Sequence, residues 1–409
     1  MIQKIKAYRM YLLFSGLYAG LYSLMSTVTM VYQVDVIHLS PLQLVLTGTA
    51  FETACFLSQV PTGVVADLYS RRLSIVIGVA LTGLGFLLQG GVPAFWAVMS
   101  SQIFLGVGST FTDGAVEAWI ADEDGSQSLN RIFLRGAQLG QIGSVVGILL
   151  STALGNLSLT LPILLAGALM LVFSLFLTAF MPENNFHPAA PEELNSFQKL
   201  SFTFRSGMRI IRSKNVLIGL LCVALFGGLS SEGYDRLNTD HFLKDTVLPS
   251  LGGLKPVTWF GIFGILTMLF SALAMQFIIR KWSSPSAHGS LNGLSLINFL
   301  TIVSMLAFGL TRSFGLMLAA YLVISTLKAL NRPILNAFVG GHIDGSIRAT
   351  VLSTNEQMNS LGEILGGPLI GLIAERFSVG LGISSTVIFL IPVSLILLKL
   401  KSWVKKPAI

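Results

Sequence analysis

The residues of this chain that could do chemistry are charges and phenols set among apolar neighbours. Asp113 and Glu117, in Thr112-Asp113-Gly114-Ala115-Val116-Glu117-Ala118-Trp119, have i, i+4 spacing, which puts both carboxylates on one helical face. Lys328 and Arg332 repeat that spacing with basic groups just before Pro333. A charge within an apolar run is costly enough that it marks an ion pair, a proton relay or a ligand contact. Glu52 has no basic residue in its own apolar run. Burial disfavours the charged form of a carboxyl, the property a proton carrier needs; the alternative is a protonated Glu52 bonded to a nearby Ser or Thr. Glu356 and Glu363, seven apart, share a helical face, and the deeper Glu363 is the candidate partner of Lys328. In Ser230-Ser231-Glu232-Gly233-Tyr234-Asp235-Arg236, Glu232 is expected to face a cavity, while Asp235 and Arg236 are expected to pair. Tyr18 and Tyr22, also at i, i+4, suit an amphipathic or aromatic solute, whereas Tyr11 and Tyr32 read as an interfacial aromatic belt.

Other chemistries are excluded. There is no GxxxxGK[ST] loop, so ATP is not expected to drive the protein directly. There is no HExxH and no nucleophile elbow, and His38, His187, His241, His288 and His342 share no ligand spacing. Cys55 and Cys222 lie inside apolar runs and make neither a zinc site nor a disulfide framework. The expectation is no metal, no cofactor and no enzyme.

The elements that carry these residues are membrane spans. Of 409 residues 53% are hydrophobic and only 11% are charged, against about 25% charged in a typical soluble domain, and the mean hydropathy is +0.76. Those charges cannot clothe a soluble surface for a chain of this length. A helix crosses the hydrocarbon with ~20 apolar residues. Twelve such stretches can be marked, near 9–34, 41–66, 73–91, 94–119, 131–155, 160–181, 215–236, 256–280, 289–310, 314–340, 350–373 and 379–400. The apolar run after Arg9 is too long for a cleaved leader and reads as a retained first span. Residues 182–214, with Pro182, Pro188 and Pro191, read as a linker between two six-span halves, 1–181 and 215–409. Within it, 197–214 could also form a basic amphipathic helix on an anionic leaflet.

The net charge of +7 has a topological cause. With both termini in the cytoplasm, Arg236, Lys244, Lys255, Arg312 and Arg376 fall outside and Lys328 and Arg332 within a span; the other Lys and Arg fall inside, as the positive-inside rule requires. No nucleic-acid partner is needed. Asp124-Gly125-Ser126 recurs as Asp344-Gly345-Ser346, and Gly147 has its counterpart in Gly367, faint traces of duplicated halves.

Between the second and third spans runs Gly63-Val-Val-Ala-Asp67-Leu-Tyr-Ser-Arg71-Arg72. This segment resembles motif A of the major facilitator superfamily, with Leu68 and Ser70 standing where the family usually has a base and a second glycine. Gly63 is expected to let helices approach closely, Asp67 to interact with a facing helix N-terminus, and Arg71 and Arg72 to anchor the turn. The resemblance implies an all-α membrane protein with twelve transmembrane helices in two six-helix halves around a central cavity lined by spans 1, 4, 7 and 10. It also implies alternating-access transport of a small solute. Asp113 and Glu117 would then look across at Lys328 and Arg332 as a gate, or Glu117 would pair locally with Arg131 or Arg135. Proton-coupled exporters of the family carry an arginine where this chain has Gln102, four residues before Gly106, and a proline where it has Ser144; Gly366-Gly367-Pro368 is intact. The implied function is proton-coupled export of small amphipathic or aromatic compounds by a monomer in the cell membrane. The alternative is a proton-coupled importer of a nutrient or organic anion, with Lys328 and Arg332 as counter-charges.

Overall fold

The computed structural model describes residues 5–124, 129–188, 215–281, 286–342 and 345–403. Fourteen α-helices make up the described residues, and beyond an isolated bridge between Leu251 and Leu254 there is no β-structure among them. They are α1 (Ala7–Asp35), α2 (Pro41–Leu68), α3 (Arg71–Gly91), α4 (Phe95–Thr112), α5 (Ala115–Asp124), α6 (Leu129–Leu157) and α7 (Thr160–Phe180). From residue 215 onward come α8 (Asn215–Lys244), α9 (Val257–Lys281), α10 (Ala287–Leu310), α11 (Phe314–His342), α12 (Gly345–Arg376), α13 (Val379–Ser385) and α14 (Val387–Trp403). With α4–α5 and α13–α14 each counted as one interrupted span, this is a twelve-span all-α membrane protein in two six-span halves. Nine of the helical stretches described are long and apolar enough to cross a bilayer. Those that fall short, α2, α4 and α12, carry the polar residues of interest, Glu52, Gln102 and Glu363 among them.

The fourth span is not the continuous helix expected. Asp113 caps the C-terminus of α4, its N–H donating to Ser109 O at 2.8 Å, and Gly114 turns the chain with φ 75° before α5 begins at Ala115. A φ in the left-handed region costs glycine nothing, so Asp-Gly stops one helix here and starts the next. With this break between them, Asp113 and Glu117 do not share one helical face.

The chain forms two compact units. Unit 1 holds Met1–Leu39, Ala50–Ser196 and Ser250–Gly264; unit 2 holds Ser40–Thr49, Phe197–Pro249 and Ile265–Ile409. The first turns of α2 thus pack with unit 2, and the first turns of α9 with unit 1. In lipid no hydrophobic force drives helices together, so close packing falls to small residues. In unit 1 the most extensive contact is α1 with α6, where a side chain at Gly143 or Gly147 would collide with the carbonyl of Gly16 or Gly20. In unit 2 it is α8 with α12: Gly228 lies against Asn359 O, Gly362 against Leu225 O and Gly366 against Leu229 O. Gly125, Ser126, Asp344 and residues 197–214, which carry the repeat and the amphipathic-helix reading, lie outside the described residues.

Candidate functional site

Unit 2 contains a cavity of about 220 Å³. Its polar wall is built from α8 (Ser230, Ser231), α11 (Lys328, Asn331) and α12 (Asn359, Glu363). Glu363 accepts from Ser231 Oγ and from Asn359 Nδ2, both at 2.9 Å. Lys328, expected to pair with Glu363, places Nζ 2.6 Å from Asp235 Oδ1 and 5.8 Å from the centre of the Tyr234 ring. The expected Asp235–Arg236 pair does not form. Residues adjacent in a helix point about 100° apart, whereas i and i+4 share a face, so Arg236 Nε instead bonds Glu232 Oε1 at 2.7 Å. Glu232 does not line this cavity. It is buried against Gly48, where a Cβ would displace its carboxylate and Arg236 Nε, and its Cγ would stand 3.3 Å from a Cβ at Gly367. Arg332 Nη2 lies 3.3 Å from Glu356 Oε1, with both side chains more than half exposed.

In unit 1 the helix break presents Asp113 and Glu117 as exposed side chains. Glu117 stands in the first turn of α5, where a carboxylate is favoured by the helix dipole. An aromatic ladder runs along α1. Phe14 and Tyr18 stack at 5.3 Å, Tyr18 and Tyr22 at 6.3 Å, and Tyr22 reaches Phe86 of α3 at 5.9 Å. The Tyr18 hydroxyl meets Thr82 and Thr112, one residue from Asp113. Tyr11 and Tyr32 are not an interfacial belt: both are buried, Tyr32 donating to Gln89 O at 3.1 Å and Tyr11 packed edge-on to Phe133. Gln102 is likewise buried, its Nε2 3.4 Å from Gln89 Oε1. Glu52 is half-buried on α2.

The α2–α3 turn is held by a network that sequence reading missed. Arg71 Nη1 lies 3.1 Å from Asp122 Oδ2 of α5. Ser70 caps α3, its Oγ accepting from Leu73 N at 2.9 Å and donating to Glu183 Oε2 at 2.6 Å. Glu183 Oε1 also accepts from Arg72 N at 2.9 Å, and Arg72 Nη1 donates to Met181 O at 3.3 Å. Trp119 Nε1 donates to Pro182 O at 2.7 Å, and Glu123 Oε1 accepts from Asn185 N at 2.7 Å. The serine that replaces the family's second glycine is therefore a helix cap. Asp67 is exposed in the last turn of α2, and a Cβ at Gly63 would meet nothing within 4 Å, so the close approach expected there is not made. No group of three or more His, Cys, Asp or Glu able to hold a metal occurs among the described residues.

Comparison with known proteins places this architecture. The chain is 22% identical over 360 residues to the uncharacterized MFS-type transporter YxaM of Bacillus subtilis (strain 168), spanning 87% of this chain and 86% of that protein. Its fold matches the crystal structure of the nucleoside transporter NupG with TM-score 0.73 and 15% identity, over 98% of this chain and 99% of that one. It also matches a POT family transporter in complex with 5-aminolevulinic acid, with TM-score 0.72 and 16% identity over 96% and 95%. The Major Facilitator Superfamily profile matches residues 10–284, more than half of the chain. A broken fourth span, a polar cavity walled by apolar helices and a capped Gly63–Arg72 turn thus stand in a chain that belongs to the Major Facilitator Superfamily, a family of transporters and not of enzymes.

Proposed function

We propose that the protein is a proton-coupled secondary transporter that exports small amphipathic or aromatic compounds by alternating access, as a monomer in the cell membrane with both termini cytoplasmic. The observation that carries the reading is the break at Asp113-Gly114. Discontinuous membrane helices recur where transporters bind substrate and coupling ion, and this one sets an exposed carboxylate beside Thr112 and the Tyr18–Tyr22 ladder. The distribution of Lys and Arg supports the orientation. Asp113, Glu117, Glu52 and Glu363 are the proton-coupling candidates. The gate belongs to the same proposal: Lys328 and Arg332 would trade Asp235 and Glu356 for other carboxylates as the cycle turns. A second reading, import of a nutrient or organic anion, is favoured by one observation, the presence of Lys328 in the wall of the unit 2 cavity.

The test is reconstitution into vesicles with an imposed pH gradient and a fluorescent aromatic amine as probe. The gradient should drive the probe against the proton flux. Asp113→Asn, Glu117→Gln, Glu52→Gln or Glu363→Gln, at least one of them, should abolish that response while leaving probe binding measurable. Unchanged pH-driven transport in all four variants would overturn proton coupling through these residues, and probe moving with the protons would replace export by the second reading.

A further inference from the structure

Unit 1 carries a cavity of a different kind from that in unit 2. It is an open groove of about 490 Å³ between α1, α6 and α7, and every side chain lining it is aliphatic or a glycine hydrogen. On α1 the lining runs from Leu12 to Leu24 and on α6 from Leu139 to Leu150, with Leu165 and Leu169 added by α7. α1 and α6 run parallel and in register along it. Arg135 Nη1 donates to Tyr8 Oη at 2.7 Å, Gly143 lies against Gly16 O, Gly147 against Gly20 O, and Ser151 Oγ donates to Leu24 O at 2.6 Å. At 1.5 Å per residue the stretch from Leu12 to Leu24 is ~18 Å long, close to the ~15 Å of half a hydrocarbon core of ~30 Å. A groove of that length takes one extended acyl chain from one leaflet. A polar solute would meet no hydrogen-bonding side chain there and would lose hydration without return.

One end of the groove is basic. On α1, Arg9 precedes Leu13, Gly16, Gly20 and Leu24 at i+4, i+7, i+11 and i+15; on α6, Arg135 precedes Leu139, Ile142, Val146 and Leu150 at the same spacings. Each arginine therefore continues a lining stripe by one turn beyond its first residue, and the Arg135–Tyr8 bond brings the two helices together at that level. Both arginines are exposed, and among the described residues neither is in an ion pair. Lys6 and Arg131, in the adjoining turns, are exposed as well. Of the α5 carboxylates, Asp122 pairs with Arg71 and Glu123 accepts from Asn185 N. Glu117 acts on Tyr11, about 160° around α1 from Arg9. We infer that this groove binds one acyl chain of an anionic phospholipid, with the phosphate held by Arg9 and Arg135. Arg135 uses one of its five guanidinium donors on Tyr8 and keeps others for phosphate oxygens. Tyr8 Oη, accepting there, retains its own hydrogen to donate. A zwitterionic lipid would bring a quaternary ammonium among these cations, and an anionic one does not.

The probes are phosphatidylglycerol and phosphatidylcholine carrying a photoreactive diazirine midway along one acyl chain. Each is added at the same low mole fraction to phosphatidylcholine nanodiscs holding the full-length protein. After illumination, mass spectrometry should find the phosphatidylglycerol label on peptides covering 12–24 and 139–150. Each basic side chain near an anionic headgroup adds about fivefold to binding. With two arginines, phosphatidylglycerol should label these peptides at least about tenfold more than phosphatidylcholine does. Unlabelled phosphatidylglycerol should suppress the label, and soluble glycerol phosphate should not. Arg9→Gln and Arg135→Gln should each cut the preference about fivefold, and together they should abolish it. Val146→Trp, which fills the groove, should reduce label on 12–24 while leaving label elsewhere on the protein unchanged. All three positions are exposed, so thermal midpoints should match wild type; a variant whose midpoint falls leaves the comparison of lipids on wild type to decide. Equal labelling by the two lipids would overturn the inference. So would phosphatidylglycerol label missing from these peptides, as a protein partner seated on the groove would cause, displacement by glycerol phosphate, or a folded double variant that keeps the preference.

Discussion

Replacing Lys328 or Asp235 tests the ion pair that ties α11 to α8 at the cavity wall. Two unit charges 2.6 Å apart attract by roughly 6 kcal/mol at an effective dielectric of about 20. Most of that is not realised. The side chains are 37% and 42% exposed, so water screens them, and holding a lysine in one geometry costs side-chain entropy. The net coupling should exceed the ~0–1 kcal/mol of an exposed pair and fall short of the ~3–5 kcal/mol lost when a fully buried pair is broken; about 1–2 kcal/mol is expected. Lys328→Met, Asp235→Asn and the double variant form a cycle, read as unfolding free energy in mixed micelles. The cycle for Arg332 and Glu356, whose side chains are 72% and 51% exposed, should give less, about 0–1 kcal/mol. Additivity of Lys328→Met and Asp235→Asn within ~0.3–0.5 kcal/mol would refute the pairing. So would a larger coupling of Lys328 to Glu363 than to Asp235.

Gly228→Ala should destabilise by about 1–3 kcal/mol through overpacking against Asn359, seen as a lower thermal midpoint, whereas Gly91→Ala, with nothing within 4 Å, should be near neutral; equal midpoints would show that the α8–α12 contact yields. Glu183→Ala removes the acceptor of Ser70 Oγ and Arg72 N, so hydrogen exchange at the Arg72 amide should accelerate by at least about tenfold, and unchanged protection would count against the network. Asp67→Asn should impair transport in vesicles without lowering the thermal midpoint, because a carboxylate in the last turn of its own helix is opposed by the dipole by about 0.3–1 kcal/mol; normal turnover would count against a role for motif A here.

The spans were legible because hydrocarbon thickness sets one length scale, and a soluble fold has little use for so many apolar runs of that length. The break in the fourth span was written in the sequence as Asp113-Gly114, a turn signal, but a single glycine within an apolar run is also tolerated in a continuous helix. The Glu232–Arg236 pair was equally readable from i, i+4 spacing, and the adjacency of Asp235 and Arg236 pointed the wrong way. Lys328–Asp235 and the Glu183 network were not readable at all. Each joins residues about a hundred positions apart, and no local period records which distant carboxylate a helix face will meet. Tyr11 and Tyr32 were misplaced for the same reason: an amphipathic ring near a span end fits an interface or a helix contact equally well.

The glycine seams also constrain how the protein is made. α1 ends at Asp35 and its main partner α6 begins only at Leu129. A ribosome adding roughly 5–20 residues per second takes about 5–20 s to travel from one to the other. Throughout that interval the Gly16–Gly20 face of α1 has emerged and its mate has not been synthesised. The same holds for α8, which awaits α12. Each six-span bundle therefore closes late, when its fifth span arrives, and until then a small-residue face must be shielded by lipid or by the insertion machinery. A nascent chain stalled between α5 and α6 would carry that face unclosed, a ready mark for the proteases that clear unfinished membrane proteins.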